Sequence, residues 1–535
     1  MNQVEVRRKQ IHAIICLAGV ITWLMLGKTI GYSGIAYFAA AAECLAFLLC
    51  LLSECIPDAL GKLLRGRSAR GQYKNAKTIR RSVLIVQLLT GGLGGCLLFL
   101  LAEPLMEKVF RMSYGMLAVR ILAPVIVLRV LTGVLLGYFQ GKGTLMPTLA
   151  VGLLRQVFYL GFGCLFVGLL KGYGEKVQLL LKNDSMPSMY GAAGMAVAVV
   201  LTEVFVLLFV LFLYLASSRS KKKQEEGLKK TETFLSSVKS LYSTAGLQIF
   251  TMVLTFLPVC LGCILYQKNA EDSYASAGSY GAYLAGYLLT CSIPVLIIGS
   301  LLHGTAARAA AAVRKGEQKY ARDVFGAAFH MNIVLGIFAA LFLALMAKQT
   351  GNVLSVEDAY TELLISLLQK GSAVVLLAVL ALLFTRVLQY TGKSGYVIGA
   401  LGAYAIVFTA GAVICFKFLK CDVEGLVYAG IAALLVLCVI TGFSVFRLLR
   451  VKTDLLYWII VPCLGAVISG LAWYLMGRFM TPHLGYLMTI VLGLLVGNVL
   501  YWAVLLLLRS FRRQETEVLP GGVLLVKLKE LMHIE

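Results

Sequence analysis

Charge is scarce in this sequence. Only 14% of its 535 residues are Asp, Glu, Lys or Arg, and five are His. His303, His330 and His483 stand far apart, and the outer loops are short. A membrane glycosyltransferase or ligase, the main enzyme alternative, would want acidic or histidine clusters on large outer loops, so we expect no enzyme. An ATP-driven pump is disfavoured as well. Gly392-Lys393-Ser394 has Val387 where a phosphate loop needs Gly, and it follows an apolar run instead of a strand. The thirteen Cys give no disulfide framework. Most lie inside apolar stretches (Cys50, Cys96, Cys164, Cys291, Cys438) and read as small packing residues. Cys260-x-x-Cys263 has redox spacing, but it sits in an apolar run beside Pro258, so no metal site is expected.

What the chain does have is apolar length. Hydrophobic residues make up 60% of it and the mean hydropathy is +0.86. About fourteen runs are long enough to cross a bilayer as helices. We place them at 11–29, 33–56, 83–101, 116–139, 145–169, 192–215, 245–266, 280–302, 324–346, 363–388, 396–416, 425–446, 455–476 and 484–508. The expected fold is therefore all-α and polytopic, and the 53 Gly fit close helix packing in lipid. The net charge of +23 does not ask for nucleic acid. With the N-terminus inside, most Lys and Arg fall on inside segments, which is the positive-inside pattern with both termini cytoplasmic. Arg7, Arg8 and Lys9 before the first run resemble a signal peptide. The run's length and the later alternation favour an uncleaved first span.

Two inside loops share the pattern Gly-x-x-Lys-x-Ala: Gly71 to Ala76 and Gly316 to Ala321. Further on, Gln140-Gly141-Lys142 ends span 4 and Gln389-Tyr390-Thr391-Gly392-Lys393 ends span 10, at nearly the same offset. Spans 1–6 and 7–12 thus read as a parallel repeat, a transporter design. This gives an N-lobe over 1–216, a basic cytoplasmic linker over 217–239, a C-lobe over 240–447, spans 13 and 14 over 448–510, and a tail over 511–535. The tail is read either as an interfacial amphipathic helix or as an ordinary tail. Pro258, in the first helix of the second lobe, is the candidate hinge against a static kink.

Several motifs resemble the stage V sporulation protein B group. They are Ile56-Pro57-x-Ala59-x-x-Lys62-Leu63 with Gly71-x-Tyr73-Lys74-x-Ala76-Lys77; Arg120-Ile121-Leu122-Ala123-Pro124; Gly137-Tyr138-Phe139-Gln140-Gly141; Met146-Pro147-Thr148; and Gly191-Ala192-Ala193-Gly194 with Glu203. That group belongs to the multidrug/oligosaccharidyl-lipid/polysaccharide exporter (MOP) superfamily. The resemblance implies a bacterial flippase in the cytoplasmic membrane. Its cargo would be an undecaprenyl-pyrophosphate-linked sugar, carried from inner to outer leaflet by alternating access between two lobes. It also implies membrane lipids and cell-envelope polysaccharide synthesis proteins as partners. A multidrug exporter of the same superfamily is the nearest alternative. The chain departs from the group at Arg155-Gln156, where Glu-Gln is usual, and at Leu136, where Arg is common; Arg129 lies seven residues earlier. No cofactor is expected, and a proton, sodium or the membrane potential remain open as coupling agents.

Under that resemblance, cations stranded in spans are candidate pyrophosphate ligands, because Arg binds phosphate through a bidentate fork and Lys as a point charge. The candidates are Arg129, Arg120, Lys370 and Lys28. Arg120 and Lys370 fall near the repeat offset and would occupy matching places in the two lobes, as a clamp or snorkelling to the headgroups. Arg120 and Arg129 lie about 180° apart on one helix, so one of them should pair with a neighbouring helix. Arg155 and Glu203 fall at similar depth and are expected to form an ion pair, one that a charge swap would preserve. Glu43 pairs with Arg120 or takes a proton.

Overall fold

In the computed structural model, residues 3–218, 232–270, 272–451, 456–511 and 513–519 are described, and no strand occurs among them. Among the described residues, thirteen helices are long and apolar enough to cross a membrane. They are α2 (Tyr32–Ala69), α3 (Tyr73–Leu100), α4 (Ser113–Gly141), α5 (Met146–Leu181), α6 (Met186–Ser217), α7 (Phe234–Asn269), α8 (Tyr274–Leu301), α9 (Gln318–Leu345), α10 (Ala373–Tyr390), α11 (Ser394–Lys417), α12 (Glu424–Leu449), α13 (Tyr457–Phe479) and α14 (Thr481–Leu507). The first expected span lies in α1 (Gln3–Ile30), whose apolar described part is Ala18–Ile30. This is a multi-pass membrane protein, in which each spanning segment satisfies its backbone polar groups by helix formation.

Several helices outrun their apolar runs. Helix α5 continues to Leu181, well past the expected end at 169. Helix α7 starts at Phe234, so the last residues of the expected linker are helical; Thr233 caps it by accepting from the Ser236 N–H. The basic centre of that linker, 219–231, and the tail from 520 onward lie outside the described residues.

Two spans in the first half contain breaks, and proline explains them. Helix α2 is two pieces, Tyr32–Leu52 and Ile56–Ala69, joined by a turn at 53–55. Pro57 lacks an N–H and crowds the carbonyl four residues back, so the chain re-starts there. Pro124 does the same in α4, between Met116–Leu122 and Val125–Gly141. In the second half, the expected span at 363–388 is likewise two helices, Thr361–Gly371 and α10, with Ser372 between. No proline acts there. Instead the Tyr287 hydroxyl donates to the freed Gly371 carbonyl at 2.9 Å. A Cβ on Gly371 would collide with that tyrosine ring.

The repeated loops fold alike. Gly71 (φ +71) and Gly316 (φ +82) each end a short helix, Ile56–Ala69 and His303–Lys315, in the left-handed conformation. In both, the next N–H reaches back to the carbonyl five residues earlier, Gln72 to Arg67 and Glu317 to Ala312, both at 3.0 Å. Gly143 (φ +85) and Gly392 (φ +80) do this at the ends of α4 and α10. The counterpart of Gly392 is therefore Gly143, not Gly141, because only the third residue after Gln140 or Gln389 takes the left-handed turn.

The chain divides into two compact units, Met1–Gly281 and Ala282–Glu535. The division falls inside α8, where a π-helical stretch, Ala282–Leu288, begins. The expected division lay at the 217–239 linker. Helix α7 groups with the first unit because Leu241 and Ala245 are fully buried against Ile56, Leu60, Ile79 and Val134. In the second unit, α13 and α14 share a core with α9: Val461, Tyr501 and Leu505 pack with Ala327 and Val334.

Candidate functional site

The stranded charges of the first unit converge. Arg129 stands on α4, Arg155 on α5 and Glu203 on α6. Glu203 is 2% exposed. Its Oε1 accepts from Arg129 Nε at 2.7 Å and lies 2.8 Å from Arg155 Nε, while Oε2 accepts from Arg155 Nη2 at 3.0 Å. One carboxylate therefore holds two guanidiniums. The second acid is Glu54, in the turn that breaks α2; its Oε1 accepts from Arg129 Nη1 at 3.1 Å. Two cations and two anions form a tetrad that balances overall, as a low-dielectric setting requires.

Packing brings these groups together. Helices α5 and α6 approach so closely at Gly194 that an added Cβ would lie 2.7 Å from the Phe166 carbonyl oxygen. Gly174 lies equally tight against Met186 and Pro187. Small residues at a helix crossing let backbones meet, and that contact sets Arg155 opposite Glu203.

The structure brings Arg155 to Glu203, and adds Arg129 to the same carboxylate. The expected charge swap thus loses its simplicity, since an Arg at position 203 would face Arg129. Of Arg120 and Arg129, the latter is the one tied into neighbouring helices. Arg120 contacts Glu103 at 3.4 Å and lies over the Phe99 ring at 5.9 Å. Glu43 does not pair with Arg120. Buried in α2, it accepts from the Tyr280 hydroxyl at 3.0 Å through Oε1, and Oε2 has no partner. Lys28 is exposed near the end of α1. Helix α7 runs unbroken through Pro258, which is buried. Cys263 is buried and free on that helix, and no group of three metal-ligating side chains occurs among the described residues.

In the second unit, Lys370 ends the helix Thr361–Gly371 as Arg120 closes the first piece of α4. Its partner is Glu424, at 2.6 Å, which also accepts from Ser366 at 2.6 Å. Both repeat cations sit just before a break, but the acids that meet them come from different places in the chain. A further polar cluster centres on His330. Glu515 Oε2 lies 3.1 Å from His330 Nδ1, Ser510 Oγ lies 3.2 Å from its Nε2, and Trp458 Nε1 donates to Glu515 at 3.2 Å. These groups are buried and stitch the short helix Arg513–Val518 to α9 and α13.

Sequence reasoning missed Glu54, Tyr280, Glu424 and the His330–Glu515 pair. An acid three residues before Pro57, at the end of an apolar run, was the available signal for Glu54. The others have none, because their partners lie 54 to 237 positions away.

No family model matches the chain. Over 298 residues it is 27% identical to stage V sporulation protein B of Bacillus subtilis (strain 168), covering 53% of each chain. The chain thus spans about half the length of the curated relative it matches. Among solved structures, the lipid II flippase MurJ in an inward closed conformation superposes with a TM-score of 0.65 at 13% identity, over 91% of this chain and 97% of that one. An inward-facing multidrug resistance MATE family transporter of the MOP superfamily gives a TM-score of 0.59 at 14% identity, over 82% and 100%. The chain has the two-lobed fold seen in MurJ and in that MATE family transporter, and half of it is similar in sequence to stage V sporulation protein B.

Proposed function

We propose that this protein is a flippase for a polyprenyl-pyrophosphate-linked sugar, moving it from the inner to the outer leaflet of the cytoplasmic membrane by alternating access. The observation that carries the reading is Arg129. It is an arginine well inside a spanning helix, with its side chain 25% exposed, within a flippase-like fold. A charge held partly exposed at that depth is costly unless it faces a wet path and serves an anion. Arginine's planar fork suits phosphate oxygens better than a lysine does. Arg155, on the shared Glu203, reinforces the positive end of the tetrad. Arg120, Lys370 and Lys28, all partly or largely exposed, are assigned secondary roles in attracting the headgroup.

The test is reconstitution in vesicles with a fluorescent polyprenyl-pyrophosphate sugar, following protein-dependent loss of fluorescence to a membrane-impermeant quencher. Arg129→Ala should lower the rate at least tenfold and Lys370→Ala only a few-fold. Absence of protein-dependent movement of any such lipid overturns the reading. Imposing a potential, a proton gradient or a sodium gradient in turn identifies the coupling agent.

Multidrug export is the second reading, and one observation favours it: Glu43, a buried acid with an oxygen left without a partner, could serve a cationic drug or a proton. Drug-dependent transport in the same vesicles, lost in Glu43→Gln and kept in Arg129→Ala, would support export instead.

A further inference from the structure

We infer that Glu54 is a built-in stand-in for the substrate's phosphate: it occupies the exposed face of Arg129 and must be displaced for a pyrophosphate headgroup to bind. This inference rests on the flippase reading and assigns a specificity-determining residue to its site.

The two acids of the tetrad are not equivalent. Glu203 is 2% exposed, sits within a continuous helix, and meets both guanidiniums. Removing it would leave Arg155 without its carboxylate and Arg129 with Glu54 alone. Glu54 is 37% exposed, meets only Arg129, and does so through one oxygen at 3.1 Å. Its backbone lies in a turn, where the α-helical ladder is interrupted: the Glu54 N–H reaches back to the Leu49 carbonyl. A carboxylate on such a turn can swing away at less cost than one on a helix packed on both sides.

The geometry of Arg129 adds to this. Nε is committed to Glu203 and Nη1 to Glu54, and Nη2 has no protein partner among the described residues. A guanidinium can grip a phosphate with two parallel hydrogen bonds through its Nε/Nη2 or its Nη1/Nη2 edge, and with Nε on Glu203 the Nη1/Nη2 edge is the one left. Glu54 therefore takes half of the edge a phosphate would take whole. Once it swings off, the remaining cluster carries two guanidiniums against one carboxylate, a net positive site presented to an anion.

This arrangement also supplies release. A headgroup held by an unopposed arginine would leave slowly, whereas a tethered carboxylate at high local concentration re-forms its pair and expels the phosphate. Glu54 thus weakens binding and speeds turnover. Its removal should shift both in opposite senses.

The experiment measures binding to the purified full chain in detergent by calorimetry, with two probes. One is inorganic pyrophosphate and the other is undecaprenyl pyrophosphate in mixed micelles, which separates a free-phosphate site from a lipid-headgroup site. Glu54→Gln should bind pyrophosphate roughly tenfold tighter than wild type, and Glu54→Asp, which keeps the charge, should stay near wild type. The double variant Glu54→Gln with Arg129→Ala should lose the gain. In vesicles, Glu54→Gln should show a lower half-saturation and a lower maximal rate. A melting curve for each variant identifies any that fails to fold; Glu54→Asp then carries the comparison, and an affinity change there with the charge kept overturns the inference. Unchanged affinity in Glu54→Gln, or a gain that survives loss of Arg129, also overturns it. If wild type flips the lipid while Glu54→Gln binds as wild type does, this inference falls and the flippase reading stands. If no lipid moves but Glu54→Gln still gains affinity through Arg129, the anion site stands and the flippase reading falls.

Discussion

Glu203 shows why single charges in this chain are not interchangeable. Among the described residues it is the one acid on which two arginines from separate helices close, and it is almost wholly buried. Glu203→Ala should destabilise the protein by about 3–5 kcal/mol, the usual cost of orphaning buried charge, read as a lower melting temperature in detergent. The combined Arg155→Glu and Glu203→Arg swap should do no better than Glu203→Ala, since it sets an arginine against Arg129. Full recovery in the swap would show that Arg129 is not part of the cluster. Arg120 is the contrast. Its contact with Glu103 is 3.4 Å long and the two side chains are 38% and 57% exposed, so Arg120→Ala should change stability by less than about 1 kcal/mol.

Among the elements, α5 and α6 act as one rigid pair, because Gly174 and Gly194 let their backbones touch. Gly194→Leu would force the helices apart by more than a side chain can absorb. We expect at least about 1–3 kcal/mol of destabilisation from overpacking and, with the helices splayed, a loss of lipid movement, measured in the same vesicles. The broken helices are the other device at this scale. Apolar run length made the spans legible, and in the structure Pro57 and Pro124 account for two of the breaks. The break at Ser372 carried no proline and was invisible, since it depends on a tyrosine hydroxyl 84 positions away. Long-range partners of that kind leave no trace in local pattern.

At the scale of the whole molecule, the fold places α13 and α14 inside the core of the second unit. Tyr501 donates to the Val334 carbonyl at 2.8 Å, and Trp473 packs edge-to-face against Phe338 and Phe342. Truncation before α13 should therefore abolish a monodisperse peak in detergent size exclusion. If the shortened chain remains folded, these helices are an accessory. The stitched segment around Glu515 is expected to be separable: Glu515→Ala should expose Arg513–Val518 to protease while α9 stays protected. The orientation proposed from the basic residues is checked by reporter fusions after residue 218, which should report the cytoplasm.

The sequence by itself determined the class of this protein, thirteen of the fourteen expected spans among the described residues, and the repeat, and it put forward the charges on which the proposed site rests. These follow from one-dimensional properties, namely apolar run length, positive-charge bias and a recurring glycine turn. Only the tertiary structure decided which charge meets which. It set Arg129 and Arg155 on Glu203, gave Glu54 the exposed edge of Arg129, turned Glu43 to Tyr280, and matched Lys370 with Glu424. Partner choice inside a membrane depends on which helix faces come into contact and at what depth, and close glycine crossings and helix breaks set both. Pairing over such distances is a property of packing, which no local pattern encodes.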